Sequence, residues 1–111
     1  MVTREKLIET IKAAISDYAK DEPSYGEIKI EKIFDDQLGH YELMYAGWSD
    51  DLRVHGSVIH LDVVDNKAWV EYDGTEYGIA KELRDRGIPR EQIVLGFMPE
   101  ERRQHSEFAV N

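Results

Sequence analysis

The sequence contains no cysteine. That excludes disulfides and cysteine-rich zinc sites, and it is compatible with a reducing cytoplasm. Its longest apolar runs are only a few residues, too short to cross a membrane. The opening MVTREKLIET is charged and lacks the apolar block of a signal peptide, so a cytoplasmic location is expected. No G-x-x-x-x-G-K-[ST] phosphate loop and no G-x-S-x-G nucleophile turn is present. Positive charge is the minority: 14 basic against 23 acidic side chains give a formal net charge of −9. Such a surface repels a DNA backbone unless the cations are segregated. Arg84, Arg86, Arg90, Arg102 and Arg103 come late, but Asp85, Glu91, Glu100 and Glu101 lie among them. Direct nucleic-acid binding is therefore not expected, and a basic protein partner suits the charge better.

What is present suits one globular domain spanning residues 1–111. Hydrophobic residues make up 41% and charged residues 33%, enough apolar material for a core. No repeat, low-complexity stretch or linker divides the chain. Leu7, Ile8, Ile11, Ala14, Ile15 and Tyr18 form a helical stripe over residues 3–20, with Thr3 as N-cap. Pro23 and Gly26 end it and open a loop.

Two hairpins follow. Residues 28–34 and 41–48 flank a loop of Asp36 to Gly39, which sets Phe34 opposite Tyr41 and Ile30 opposite Tyr45. Residues 53–64 and 67–73 flank Asp65-Asn66, residues that tolerate the positive φ of a two-residue turn. That turn sets Val63 opposite Ala68, Leu61 opposite Val70 and Ile59 opposite Tyr72. Asp73, with Glu76 three residues on, predicts a capping box for a helix over residues 74–86. Gly87-Ile88-Pro89 stops that helix. Ile93 to Phe97 reads as a short strand or buried segment. The apolar tail with Phe108 and Val110 is expected to dock.

The stretch RVHGSVIHLDV, Arg53 to Val63, concentrates the polar chemistry. In a regular strand His55 and His60 point to opposite faces. His60 shares a face with Asp62, and the turn register sets Glu71 opposite His60. His60, Asp62 and Glu71 are thus a candidate set for a divalent metal. The ordinary alternative, a histidine held by carboxylates at an outer face or interface, is preferred. A bulge at Gly56 would bring His55 to the His60 face. His40 and His105 read as surface residues. Trp48 and Arg53, near one end of the sheet, suit an interface anchor. No catalytic residues and no cofactor are expected.

Several ordered blocks carry a resemblance: GW at Gly47-Trp48, RVHG at Arg53 to Gly56, VIHLDVVDNKAWV at Val58 to Val70, and DGTEYGIAKEL at Asp73 to Leu83. GIPREQIVLGF at Gly87 to Phe97 and HSEFAV at His105 to Val110 complete them. Together they resemble the XisI family, the cyanobacterial fdxN-element excision controlling factors, over nearly the whole chain. The resemblance implies a small cytoplasmic protein that acts with a nuclease-like companion, XisH, in excising a DNA element during heterocyst differentiation. The recombination chemistry belongs to a separate recombinase. Many members carry FHPP where this chain has Phe97-Met98-Pro99-Glu100, which counts against a metal site at that position.

The expectation is therefore a single α+β domain. An antiparallel sheet of two hairpins packs against an N-terminal and a C-terminal helix. Ile33, Met44, Trp48 and Trp69 on the outer face predict a cover there or at the sheet edge, either a partner or a second copy. The expected function is non-enzymatic control through protein contact, most plausibly with XisH. Trp48, Arg53, His55, Trp69, His105 and Phe108 are the candidate contact residues. Direct DNA binding and a metal-binding module are the alternatives.

Overall fold

The computed structural model describes residues 1–21 and 27–111. The expected stop at Pro23 and Gly26 lies outside them. Helix α1 spans Arg4–Asp21. The Thr3 hydroxyl accepts from the Lys6 amide at 3.1 Å, as an N-cap should.

Four strands then run as an antiparallel meander: β1 Glu27–Asp35, β2 His40–Ser49, β3 Leu52–Val64 and β4 Lys67–Asp73. The loop and turn predicted from residues 36–39 and 65–66 both form. Asp65 and Asn66 have φ of 51° and 60°. Phe34 pairs with Tyr41 and Ile30 with Tyr45, as the loop length required. The two hairpins are not separate. A third tight turn at Asp50-Asp51 joins β2 to β3, with Asp50 at φ 53°.

A fifth strand corrects the purely antiparallel expectation. Strand β5, Ile93–Val94, lies parallel to β4, giving a mixed sheet of order β1-β2-β3-β4-β5. Parallel neighbours need a crossover. Helix α2, Ile79–Asp85, and a 3-10 turn at Arg90–Gln92 supply it. Helix α2 starts five residues later than the pattern predicts, and the capping box with Glu76 does not form. Asp73 instead holds an irregular loop. Its Oδ1 accepts from the Thr75 amide and hydroxyl at 2.9 and 2.6 Å, and its Oδ2 accepts from the Ile79 amide at 2.9 Å. The helix ends as expected. Gly87 has φ 102°, and the Ile88 and Gly87 amides donate to the Leu83 and Arg84 carbonyls, both at 3.0 Å.

Helices α1 and α2 cover one sheet face. Leu7, Ile11 and Ile15 of α1 and Ile79 and Leu83 of α2 pack with Tyr41, Leu43, Ile59, Leu61, Val70 and Ile93. Buried Gln92 ties three segments together. Its Oε1 accepts from the Val2 amide at 2.6 Å, and its Nε2 donates to the carbonyls of Val2 and Asn66 at 3.1 and 2.9 Å. A short helix α3, Glu100–Arg103, precedes the tail. The tail docks as predicted: the Ala109 amide donates to the Ile93 carbonyl at 2.9 Å, and Phe108 packs on the core. Among the described residues, no helix is long and apolar enough to cross a membrane.

Candidate functional site

Two register slips decide which side chains share the outer sheet face. Between β2 and β3, Leu43 pairs with Ile59 but Met44 pairs with Ser57, which leaves Val58 as the extra residue. Val58 and Ile59 both serve the core, and the Val58 carbonyl accepts from the Gly74 amide at 2.7 Å. This bulge, rather than one at Gly56, inverts the parity upstream. His55 therefore lies on the same face as His60, not the opposite one. It sits beside Ala46, well along the strand, and does not join His60.

The second slip lies between β3 and β4. Leu61 pairs with Val70, as predicted, but His60 pairs with Tyr72 and Ile59 with Asp73. Glu71 is the extra residue. It does not stand opposite His60, and the set His60, Asp62 and Glu71 does not assemble. Glu71 lies against Gly96 instead: a Cβ added there would meet its Oε1 at 2.8 Å. The Val70 carbonyl accepts from the Phe97 amide at 3.1 Å, so the segment after β5 secures this bulge. Tyr72 moves from the predicted core face to the outer face, 50% exposed.

The partners of His60 and Asp62 come from β2. Register sets Glu42 opposite His60 and His40 opposite Asp62. His40 Nδ1 and His60 Nε2 both approach Asp62 Oδ1, at 3.0 and 3.1 Å. His40 Nε2 contacts Glu42 Oε2 at 3.0 Å. The two imidazole rings are tilted against each other with centroids 4.5 Å apart. His40, expected to be a lone surface residue, is thus the centre of a half-buried cluster. The bond to Glu42 is the largest influence on its charge; with Asp62 it outweighs partial burial and raises the His40 pKa above its ordinary 6.5. Burial pushes the Glu42 carboxyl up, but His40 and Ser57 together hold it below 4.5. The signal that identifies this set is the β2–β3 pairing, but the Asp50-Asp51 turn alone would set His40 opposite Leu61; the bulge at Val58 is what sets it opposite Asp62.

The other candidate contact residues do not form one patch. Trp48 and Arg53 pair across β2 and β3, with the guanidinium 5.3 Å from the indole centroid. Trp48 is 47% exposed. Trp69 is covered by Arg103, also at 5.3 Å. His105 is exposed, whereas Phe108 is half-buried against the chain's own core. Late arginines face carboxylates: Arg84 meets Glu107 and Asp85, and Arg86 meets Asp17 and Glu82 at 2.8 and 2.9 Å. A cleft of about 510 Å³ opens between α1 and the loop before α2, with Tyr18, Glu76 and Arg86 in its wall. It lies apart from the histidine cluster.

The architecture is that of a small α+β domain: a five-stranded mixed sheet with α1 and α2 on one face and a histidine–carboxylate cluster on the other. The XisI protein family model matches residues 1–110, and the chain belongs to the XisI family. It is similar to the crystal structure of a XisI-like protein from Anabaena variabilis ATCC 29413, with 34% identity over 98% of this chain and 100% of that one, at a TM-score of 0.93. It is also similar to the fdxN element excision controlling factor XisI from the same organism, with 29% identity over the same shares and a TM-score of 0.84. No curated protein matches the chain in sequence.

Proposed function

We propose that this protein is a non-enzymatic accessory factor that controls DNA-element excision by binding another protein, a XisH-like nuclease. The observation that carries the reading is the open outer sheet face. Trp48 and Tyr72 lie about half exposed there, and Ile33 is exposed elsewhere on the same face. Trp48, with the Arg53 guanidinium over its ring, brings together two residue types enriched among interface hot spots. Membership of the XisI family supports the biological setting, and the net charge of −9 favours a partner with a basic contact surface.

Co-expression with the XisH-like protein of the same host, followed by affinity capture, tests this. A stoichiometric complex is expected, and Trp48→Ala should weaken it by about tenfold or more. Absence of a complex at micromolar concentrations of both proteins overturns the reading.

A further inference from the structure

We propose that His40, His60 and Asp62 form a binding site for a divalent transition-metal ion of the zinc class. One potential ligand atom from each of these residues lies within 4.8 Å of those of the other two. The two nitrogen–oxygen separations around Asp62 Oδ1 are 3.0 and 3.1 Å. For metal–ligand bonds of about 2.1 Å, adjacent ligands lie roughly 3.0 Å apart in an octahedral site and roughly 3.4 Å apart in a tetrahedral one. The observed edges meet the first value and need only a slight opening for the second.

Glu42 supplies an independent observation. Metal-bound histidines nearly always donate their other ring N–H to a carboxylate or carbonyl, which fixes the tautomer and aims the free nitrogen. His40 has the geometry for this: Nε2 lies 3.0 Å from Glu42 Oε2 and Nδ1 lies 3.0 Å from Asp62 Oδ1, so with the ring hydrogen on Nε2 it donates to Glu42 and leaves Nδ1 facing Asp62. In that neutral tautomer two lone pairs oppose each other across 3.0 Å. The contact is repulsive unless a cation lies between them, either a proton or a metal ion. His60 Nε2 converges on the same oxygen. Two imidazoles with one carboxylate favour zinc or nickel over magnesium or calcium, which prefer all-oxygen ligands.

The site stands on two strands with fixed register, so the ligands do not depend on a mobile loop. It also lies on the open sheet face, where the remaining coordination positions take water. An ion there cross-links β2 to β3 at the end of the sheet near the β1–β2 loop. The site needs no partner chain, so it stands or falls separately from the proposed protein contact.

The experiment uses the full chain, stripped with chelator and titrated with zinc, nickel or magnesium chloride by calorimetry. One zinc or nickel ion per chain is expected, with no heat from magnesium. His60→Gln and Asp62→Asn should each weaken binding by at least about a hundredfold, and Glu42→Gln, a positioning residue, by about 10–100-fold. Histidine ring nitrogen shifts on the unsubstituted protein provide a second readout if a variant does not fold. Zinc should move His40 Nδ1 and His60 Nε2. No stoichiometric binding at 0.1 mM zinc (about a hundredfold above a micromolar Kd) overturns the proposal. So does a response confined to His55 or His105.

Discussion

His60 stands opposite Tyr72, not Glu71, because β4 carries one more residue than β3 between this pair and Leu61–Val70. That single extra residue removes Glu71 from the polar cluster and puts a tyrosine on the outer face. The cluster is completed from the other side, by His40 and Glu42 of β2.

The two glutamates should therefore respond differently. Glu42→Gln is expected to weaken zinc binding by about 10–100-fold through loss of the carboxylate that aims His40. Glu71→Gln should leave the affinity unchanged within error. Parallel calorimetric titrations of the two variants check this, and an equal loss in both would restore Glu71 to the site.

The His40–Glu42 pair also sets a pH dependence in chelator-treated protein. The His40 pKa is raised by Glu42 first and then Asp62, against partial burial. Its stabilising contribution is full below the unfolded value of 6.5 and is lost as pH rises through the folded value. Glu42 is lowered despite burial. Its contribution is present above the unfolded value of 4.5 and is lost as pH falls through the folded value. The pair thus stabilises most between 4.5 and 6.5. Melting temperatures of the unsubstituted protein should decline above that window more steeply than those of His40→Gln, and NMR titration should place the His40 pKa above 6.5. A His40 value at or below 6.5 would contradict the geometry.

Gln92 is buried and makes three hydrogen bonds, to both backbone polar groups of Val2 and to the Asn66 carbonyl. Gln92→Ala strands these groups and leaves a cavity. Urea unfolding should show a loss of about 1–3 kcal/mol, with hydrogen exchange accelerating at the Val2 amide. An unchanged midpoint would mean that water replaces the side chain at no cost.

Gly47 pairs with Ile28 of β1, whose backbone occupies the space a side chain would need. A Cβ there would sit 1.9 Å from the Glu27 carbonyl oxygen and 2.7 Å from Ile28 Cα. Both obstacles are backbone, so no side-chain rotation relieves the clash. Gly47→Ala should cost about 1–3 kcal/mol and loosen the Glu27–Trp48 end of the pair, measured as a lower unfolding midpoint with exchange concentrated in β1. Gly56→Ala, with no atom within 4 Å of the added Cβ, is the contrasting substitution and should cost much less.

Much of this architecture is legible locally. The apolar stripe of α1, the Thr3 cap, the loop at residues 36–39 and the turn at Asp65-Asn66 follow from residue type and spacing, and so do the nearby pairings Phe34–Tyr41 and Leu61–Val70. The errors accumulate with distance from a turn. Ile59–Tyr72 fails where Leu61–Val70 holds, because a bulge between them changes the count without changing the pattern of residue types. Glu76 has the spacing of a capping box, yet Asp73 bonds to Thr75 and Ile79 instead. A capping box would use the Asp73 carboxylate on the Glu76 amide, whereas here it serves the Thr75 and Ile79 amides; residue spacing alone does not choose between them.

By itself the sequence determined an α+β chain with its hairpin turns, the core-facing residues close to those turns and its XisI family signature, because each rests on local chemistry or on ordered blocks of residues. Only the tertiary structure decided which polar side chains meet. His40 and His60 are twenty positions apart, and their meeting depends on the turn at Asp50-Asp51 together with the slip at Val58, without which His40 would face Leu61. The slip at Val58 decides which upstream side chains share their face, and the slip at Glu71 keeps that residue away from them. Bulges are fixed by long-range hydrogen bonds, from Gly74 to Val58 and from Phe97 to Val70. Those bonds join residues that no short window of sequence contains together, so strand periodicity alone assigns these faces wrongly.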